Sequence, residues 1–204
     1  SIFKELSENT NLLKDTYQIL AGKLPEKYDE IVLISDNYDE ISDYALYTIG
    51  LKDQQELTDM TTKIMKGEKL PPSPQTSYTY EELLNKEFKL ILNTDYYEKQ
   101  NNKWIDKSAD NNYLKKIIDN GLTLKIVGII KPNDESTIKT SGELGYTKEL
   151  TDYVITKINS EEISKEQKSH PEKNIITNNP FTPSSTYEMS LANLGIVDEE
   201  NPSI

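Results

Sequence analysis

The sequence predicts an α+β fold, a mixed β-sheet with flanking helices, and three observations carry that reading. Residues 17–21 (YQILA), 30–35 (EIVLIS), 88–93 (FKLILN) and 122–130 (LTLKIVGII) are apolar runs bounded by charge, Gly or Pro, the signature of strands. Between them lie segments whose apolar residues recur at helical spacing, opening on Ser, Thr or Asp and closing on Gly. The run 122–130 is apolar on both faces in its inner section, as a central strand covered on two sides requires.

In chain order, residues 1–6 (SIFKEL) fit a polar helical pattern, and 9–15 fit a short helix with Leu12 and Leu13 inward. Residues 17–36 read as a strand pair about a corner, Gly22-Lys23-Leu24-Pro25, where Gly supplies backbone freedom and Pro ends the ladder. An acidic bend at 36–40 leads to Ser42, an N-cap for a helix over 43–49 that stops at Gly50. Asp53 and Glu56 form a capping-box pattern opening a helix to about Lys66. Its Leu57, Met60 and Ile64 share one face and are expected in the core, and Gly67 terminates it.

Residues 70–77 (LPPSPQTS) are a Pro-rich connector. Thr79 and Glu82 make a second capping box ahead of Leu83-Leu84 and the 88–93 strand. Tyr96-Tyr97 and Trp104-Ile105 flank 98–103 as a candidate hairpin. Asp110 caps a helix over 111–120, with Tyr113, Leu114, Ile117 and Ile118 on its buried side, ended by Gly121. After Pro132, Gly142 and Gly145 punctuate a loop before Thr147, which caps a helix carrying Leu150, Val154 and Ile158. A polar helix continues over 160–168, acids first and lysines last, complementing its dipole. Residues 174–185 form an Asn/Pro/Thr-rich loop, and Ser185 with Glu188 opens a last helix ending at Gly195.

Composition narrows function by exclusion. With 35 acidic residues against 23 basic ones, the net charge of −12 offers no cationic surface to displace counterions from a nucleic acid. All the basic residues are Lys, so the bidentate guanidinium clamp for phosphate or carboxylate is missing. With no Cys, disulfides, thiolate metal sites and thiol nucleophiles are excluded. The single His170 stands before Pro in a polar loop and cannot build a His-rich metal site. There is no G-x-S-x-G elbow, G-x-G-x-x-G or P-loop. The acidic groups Asp36, Asp39, Glu40, Asp43 and 198–201 lack the spacing of a calcium loop. The reading is therefore not an enzyme, with no catalytic, cofactor or metal residues. Tyr96, Tyr97, Trp104 and Tyr113 remain as a candidate ligand or partner surface, since exposed aromatic rings stack on sugars or peptides. A surface-exposed carbohydrate- or peptide-binding module is the alternative that follows from them.

Several segments carry a resemblance when taken in order: YQILAGKLP at 17–25, DEIVL at 29–33, ISDYALY at 41–47, YEELL at 80–84, LKIVGIIKP at 124–132, GYTKEL at 145–150, and LANLGIV at 191–197. Together they resemble the extracytoplasmic domain of FtsX/MacB-like ABC-transporter permeases, more closely the large ectodomains of Gram-positive bacteria. The resemblance implies porter-like and sabre-like subdomains and a single ectodomain fragment, 1–204, of a larger membrane permease. It further implies an extracellular position, an ATP-binding subunit reached through the membrane part, an accessory or membrane-fusion partner, and a dimeric full-length protein. Such a domain binds no ATP; it transmits the ATPase cycle to work outside the membrane. Two segments, about 53–79 and about 95–120, read as insertions relative to the shorter members.

Overall fold

A computed structural model of the chain describes residues 2–70, 76–133, 140 and 142–181. The elements run β1 (Phe3–Glu5), α1 (Thr10–Thr16), β2 (Tyr17–Gly22), β3 (Glu30–Ile34), α2 (Asp43–Thr48), α3 (Gln54–Met65), α4 (Tyr80–Leu83) and β4 (Glu87–Leu90). A 3₁₀ turn (Asn93–Tyr96) then leads to β5 (Tyr97–Gln100), β6 (Lys103–Asp106), α5 (Asn111–Asn120), β7 (Leu122–Pro132), β8 (Glu143–Tyr146), α6 (Lys148–Ser160) and α7 (Glu162–Ser169). This is the α+β class, with a mixed sheet.

Six strands form the main sheet in the order β1-β8-β3-β7-β2, with β4 also on β7. The β1/β8 and β3/β7 pairs are parallel and the rest antiparallel. As its two-sided apolarity predicts, β7 is the hub. One edge pairs with β3, and the opposite edge is shared end to end by β4 against 122–125 and β2 against 128–132.

A register shift in β7 decides which side chains enter which core. Against Ile31 and Val32 of β3, the β7 partners are Ile126 and Gly128, so Val127 is an extra residue. Side chains alternate along a strand, so one inserted residue reverses the facing of everything after it. Leu124 and Ile126 accordingly share the larger core with Ile129, alongside Ile31, Leu33, Leu144, Ile49 of the α2 end, Leu83 and Leu150. Val127 and Ile130 turn to the smaller cluster on the other face, with Val32, Ile34, Leu6 and Tyr17.

The local signals locate most helices. Ser42 Oγ accepts from Ala45 N–H, Asp110 Oδ1 from Asn112 and Tyr113 N–H, and Thr147 Oγ1 from Leu150 N–H. Thr79 and Glu82 make the reciprocal capping box. Gly50 and Gly67 end α2 and α3 at φ +73° and +72°.

Other expectations are corrected. Residues 3–5 form β1 and not a helix: so short a segment gains little from an isolated helical turn, whereas β8 supplies a ready ladder. Where a loop was expected about Gly142 and Gly145, residues 143–146 form β8, with Leu144 wholly buried. The strands at 17–22 and 30–34 do not pair with each other, because β7 lies between them. Of the α3 residues expected in the core, Leu57 and Met60 are half-buried and Ile64 is 61% exposed. Ile118 of α5 is likewise exposed. The helix expected to run on over 160–168 breaks at Glu161, whose extended backbone separates α6 from α7. The capping pair Ser185/Glu188 and the acidic run 198–201 lie outside the described residues.

Candidate functional site

The predicted aromatic surface falls on the second, two-stranded sheet and the helix beside it. β5 and β6 pair as Tyr97↔Asp106, Glu98↔Ile105, Lys99↔Trp104 and Gln100↔Lys103. Asn101 and Asn102 make the turn with φ of +50° and +59°, a left-handed pair that Asn tolerates better than most residues. Tyr97, Lys99 and Trp104 therefore point from one face of the hairpin.

That face is engaged by α7. Trp104 is buried, and its Nε1–H donates to Glu166 Oε2 at 3.0 Å. Lys99 Nζ lies 5.4 Å from the Trp104 ring centre and donates to Glu162 Oε1 at 2.6 Å and Glu166 Oε2 at 2.9 Å. The Glu162 and Glu166 carboxylates hold the Lys99 ammonium above its ordinary pKa, and Lys99 and the indole N–H hold Glu166 below its own. Tyr113, on α5, donates its hydroxyl to the carbonyls of Asp95 and Tyr97 at 3.1 and 3.3 Å, and burial raises its pKa. Tyr96 and Tyr97 are half-buried.

The four predicted residues thus belong to one region, but not to an open stacking platform. Trp104 turns its ring inward and its N–H to a carboxylate, while Tyr113 spends its hydroxyl on the backbone of the hairpin base. The partners Lys99, Glu162 and Glu166 were not singled out from sequence. Glu162 and Glu166 stand four apart on one helix, a spacing visible in the chain, yet it equally fits dipole complementation.

The acidic bend is also accounted for internally. Asp36 Oδ1 accepts from the N–H groups of Tyr38 and Glu40, both at 2.8 Å. Asp39 and Asp43 pair with Lys131 and Lys52 at 3.0 and 2.6 Å. Among the described residues no three His, Cys, Asp or Glu side chains are grouped to hold a metal ion.

Among the described residues, two concave regions lie beside the aromatic and acidic groups that the sequence singled out. A cleft of about 210 Å³ between α5 and α6 is lined by Tyr113, Lys116, Ile117, Tyr153 and Lys157. That is below the roughly 300–1,000 Å³ of usual small-molecule sites. A half-open groove of about 640 Å³ beside α2 is lined by Asp39, Glu40, Asp43, Lys52, Tyr78 and Tyr80. Two of its acids are those already paired with lysines. No described helix is long and apolar enough to cross a membrane. Compared with protein-family models, curated proteins and solved structures, the chain matches none.

Proposed function

We propose that this chain is a non-catalytic extracytoplasmic domain of an FtsX/MacB-like ABC-transporter permease. It couples cytosolic ATP hydrolysis to export, substrate handling or signalling outside the membrane. The observation that supports this best is where the resembling segments lie. Those at 17–25, 29–33, 124–132 and 145–150 supply β2, β3, β7 and part of β8, consecutive neighbours in one sheet. The segments at 41–47 and 80–84 supply Ala45 and Leu83 to the core against that sheet. Such contiguity is what a shared folding unit requires, and pieces scattered over the surface would have lacked it. The porter-like and sabre-like division, the dimeric permease and the ATP-binding partner belong to this reading.

The Cys-free domain allows a direct test. Met65 is 84% exposed, so Met65→Cys in the native protein places one thiol in this domain on its surface. Labelling of intact cells by a membrane-impermeant maleimide, mapped to this residue, is expected, together with membrane retention and co-purification of an ATP-hydrolysing subunit. Labelling only after lysis overturns the reading.

A further inference from the structure

Among the described residues, the β5–β6 hairpin pairs with no strand outside itself. A lone two-stranded hairpin is marginal in water, so its order depends on what it leans against. At its base, Lys107 N–H donates to the Tyr96 carbonyl at 2.8 Å, and the Tyr113 hydroxyl braces Asp95 and Tyr97. Toward its far end, Lys99 and Trp104 converge on one turn of α7, from Glu162 to Glu166. Within the two strands Trp104 alone is buried. The side chains of Lys99 and Glu166 remain 30% and 28% exposed, and ion pairs so placed contribute little apiece. The polar hold on α7 is one indole N–H and one lysine, set against the Glu162 and Glu166 carboxylates.

We propose that the hairpin is a latched arm, which releases from α7 as a unit while the six-stranded sheet stays intact. Release uncovers Trp104 and the Tyr97/Lys99 face and frees the Glu162 and Glu166 carboxylates. It also reaches the chain that follows α7. Gln167 Nε2 donates to the carbonyls of His170 and Lys173 at 3.0 and 2.8 Å, and its Oε1 accepts from Ile175 N–H at 3.2 Å. The docked arm thereby steadies the helix to which 170–175 are tied. This is a property of the fold and does not depend on the permease reading.

Hydrogen exchange on the whole chain, read alongside emission from its single Trp, tests the latch. Hairpin amides are expected to exchange faster than those of β7 and with weaker dependence on denaturant. Glu166→Ala removes one of the two carboxylates that pair with Lys99, together with the indole acceptor. It is expected to speed hairpin exchange about tenfold and shift Trp104 emission to the red, leaving β7 unchanged. Lys99→Met keeps the aliphatic stem, serves if the first variant folds poorly, and is expected to act in the same direction. Glu162→Gln, at the more exposed carboxylate, is expected to change hairpin exchange less than about threefold. If wild-type hairpin and β7 amides exchange at one rate with one denaturant dependence, the arm opens only with the whole fold and the proposal fails. It fails equally if Glu166→Ala accelerates β7 as much as the hairpin, because the contact is then a brace for the entire domain.

Discussion

The crossing of Gly22 over Gly128 is an exacting packing constraint on the main sheet. At the end of β2 the chain turns at Gly22 with φ +71°, and Lys23 N–H donates to the Val127 carbonyl at 3.0 Å. A Cβ on Gly22 would lie 2.2 Å from Val127 O and 2.9 Å from Gly128 Cα. A Cβ on Gly128 would lie 2.0 Å from the Lys23 carbonyl oxygen. These obstacles are backbone atoms, which cannot swing aside as a side-chain end can. Gly50 has the same handedness, φ +73°, with nothing within 4 Å of its would-be Cβ, so it isolates the conformational part. Gly50→Ala is expected to cost about 1–2 kcal/mol from the left-handed backbone alone. Gly22→Ala adds an overpacking cost of about 1–3 kcal/mol, for a total of about 2–5 kcal/mol. With a urea dependence of about 1–3 kcal/mol per molar, that total lowers the unfolding midpoint by about 0.7 M or more. Gly128→Ala should be destabilising without any positive-φ contribution, and the double variant should cost less than the sum because both act on one crossing. A Gly22→Ala midpoint no lower than that of Gly50→Ala would refute the reasoning, since the close approach would then carry no cost.

The remaining predictions concern the core, one cap and one carboxylate. Ile126→Ala, at a fully buried β7 position, should cost about 2–5 kcal/mol in urea unfolding, whereas Ile64→Ala on the exposed α3 face should stay within about 0.5 kcal/mol. Thr79→Ala should lose about 1 kcal/mol by removing the hydroxyl that accepts from Glu82 N–H at 3.2 Å. Burial pushes the Glu30 carboxyl up, but the Glu26 N–H and the Lys23 ammonium outweigh it and hold its pKa below the ordinary 4.5. A depressed carboxylate contributes stability above the unfolded pKa that is lost as pH falls through the folded one. Thermal unfolding from pH 7 to 3 should therefore show a shallower acid decline in Glu30→Gln than in the wild type; an unchanged slope counts against the ion pair.

What the sequence determined by itself was whatever rests on contacts within a few residues. The caps at Ser42, Thr79, Asp110 and Thr147 were legible because a side chain bonds an N–H two or three positions on. The central place of β7 was legible because covering both faces demands an apolar run. The hairpin and its aromatic residues were visible too, but not whether those rings face water or α7. Tertiary structure alone decided that β1 and β8 are strands, since neither is stable without its partner across the sheet. It alone put β7 between β2 and β3 and left Ile64 outside. The bulge at Val127 settled which isoleucine enters which core, a choice made by register against Ile31 and Val32 and by nothing in the run LTLKIVGII. The same holds for the candidate site. Lys99 and Glu166 stand 67 positions apart, and only the fold brings the ammonium, the indole and the carboxylate within hydrogen-bonding range.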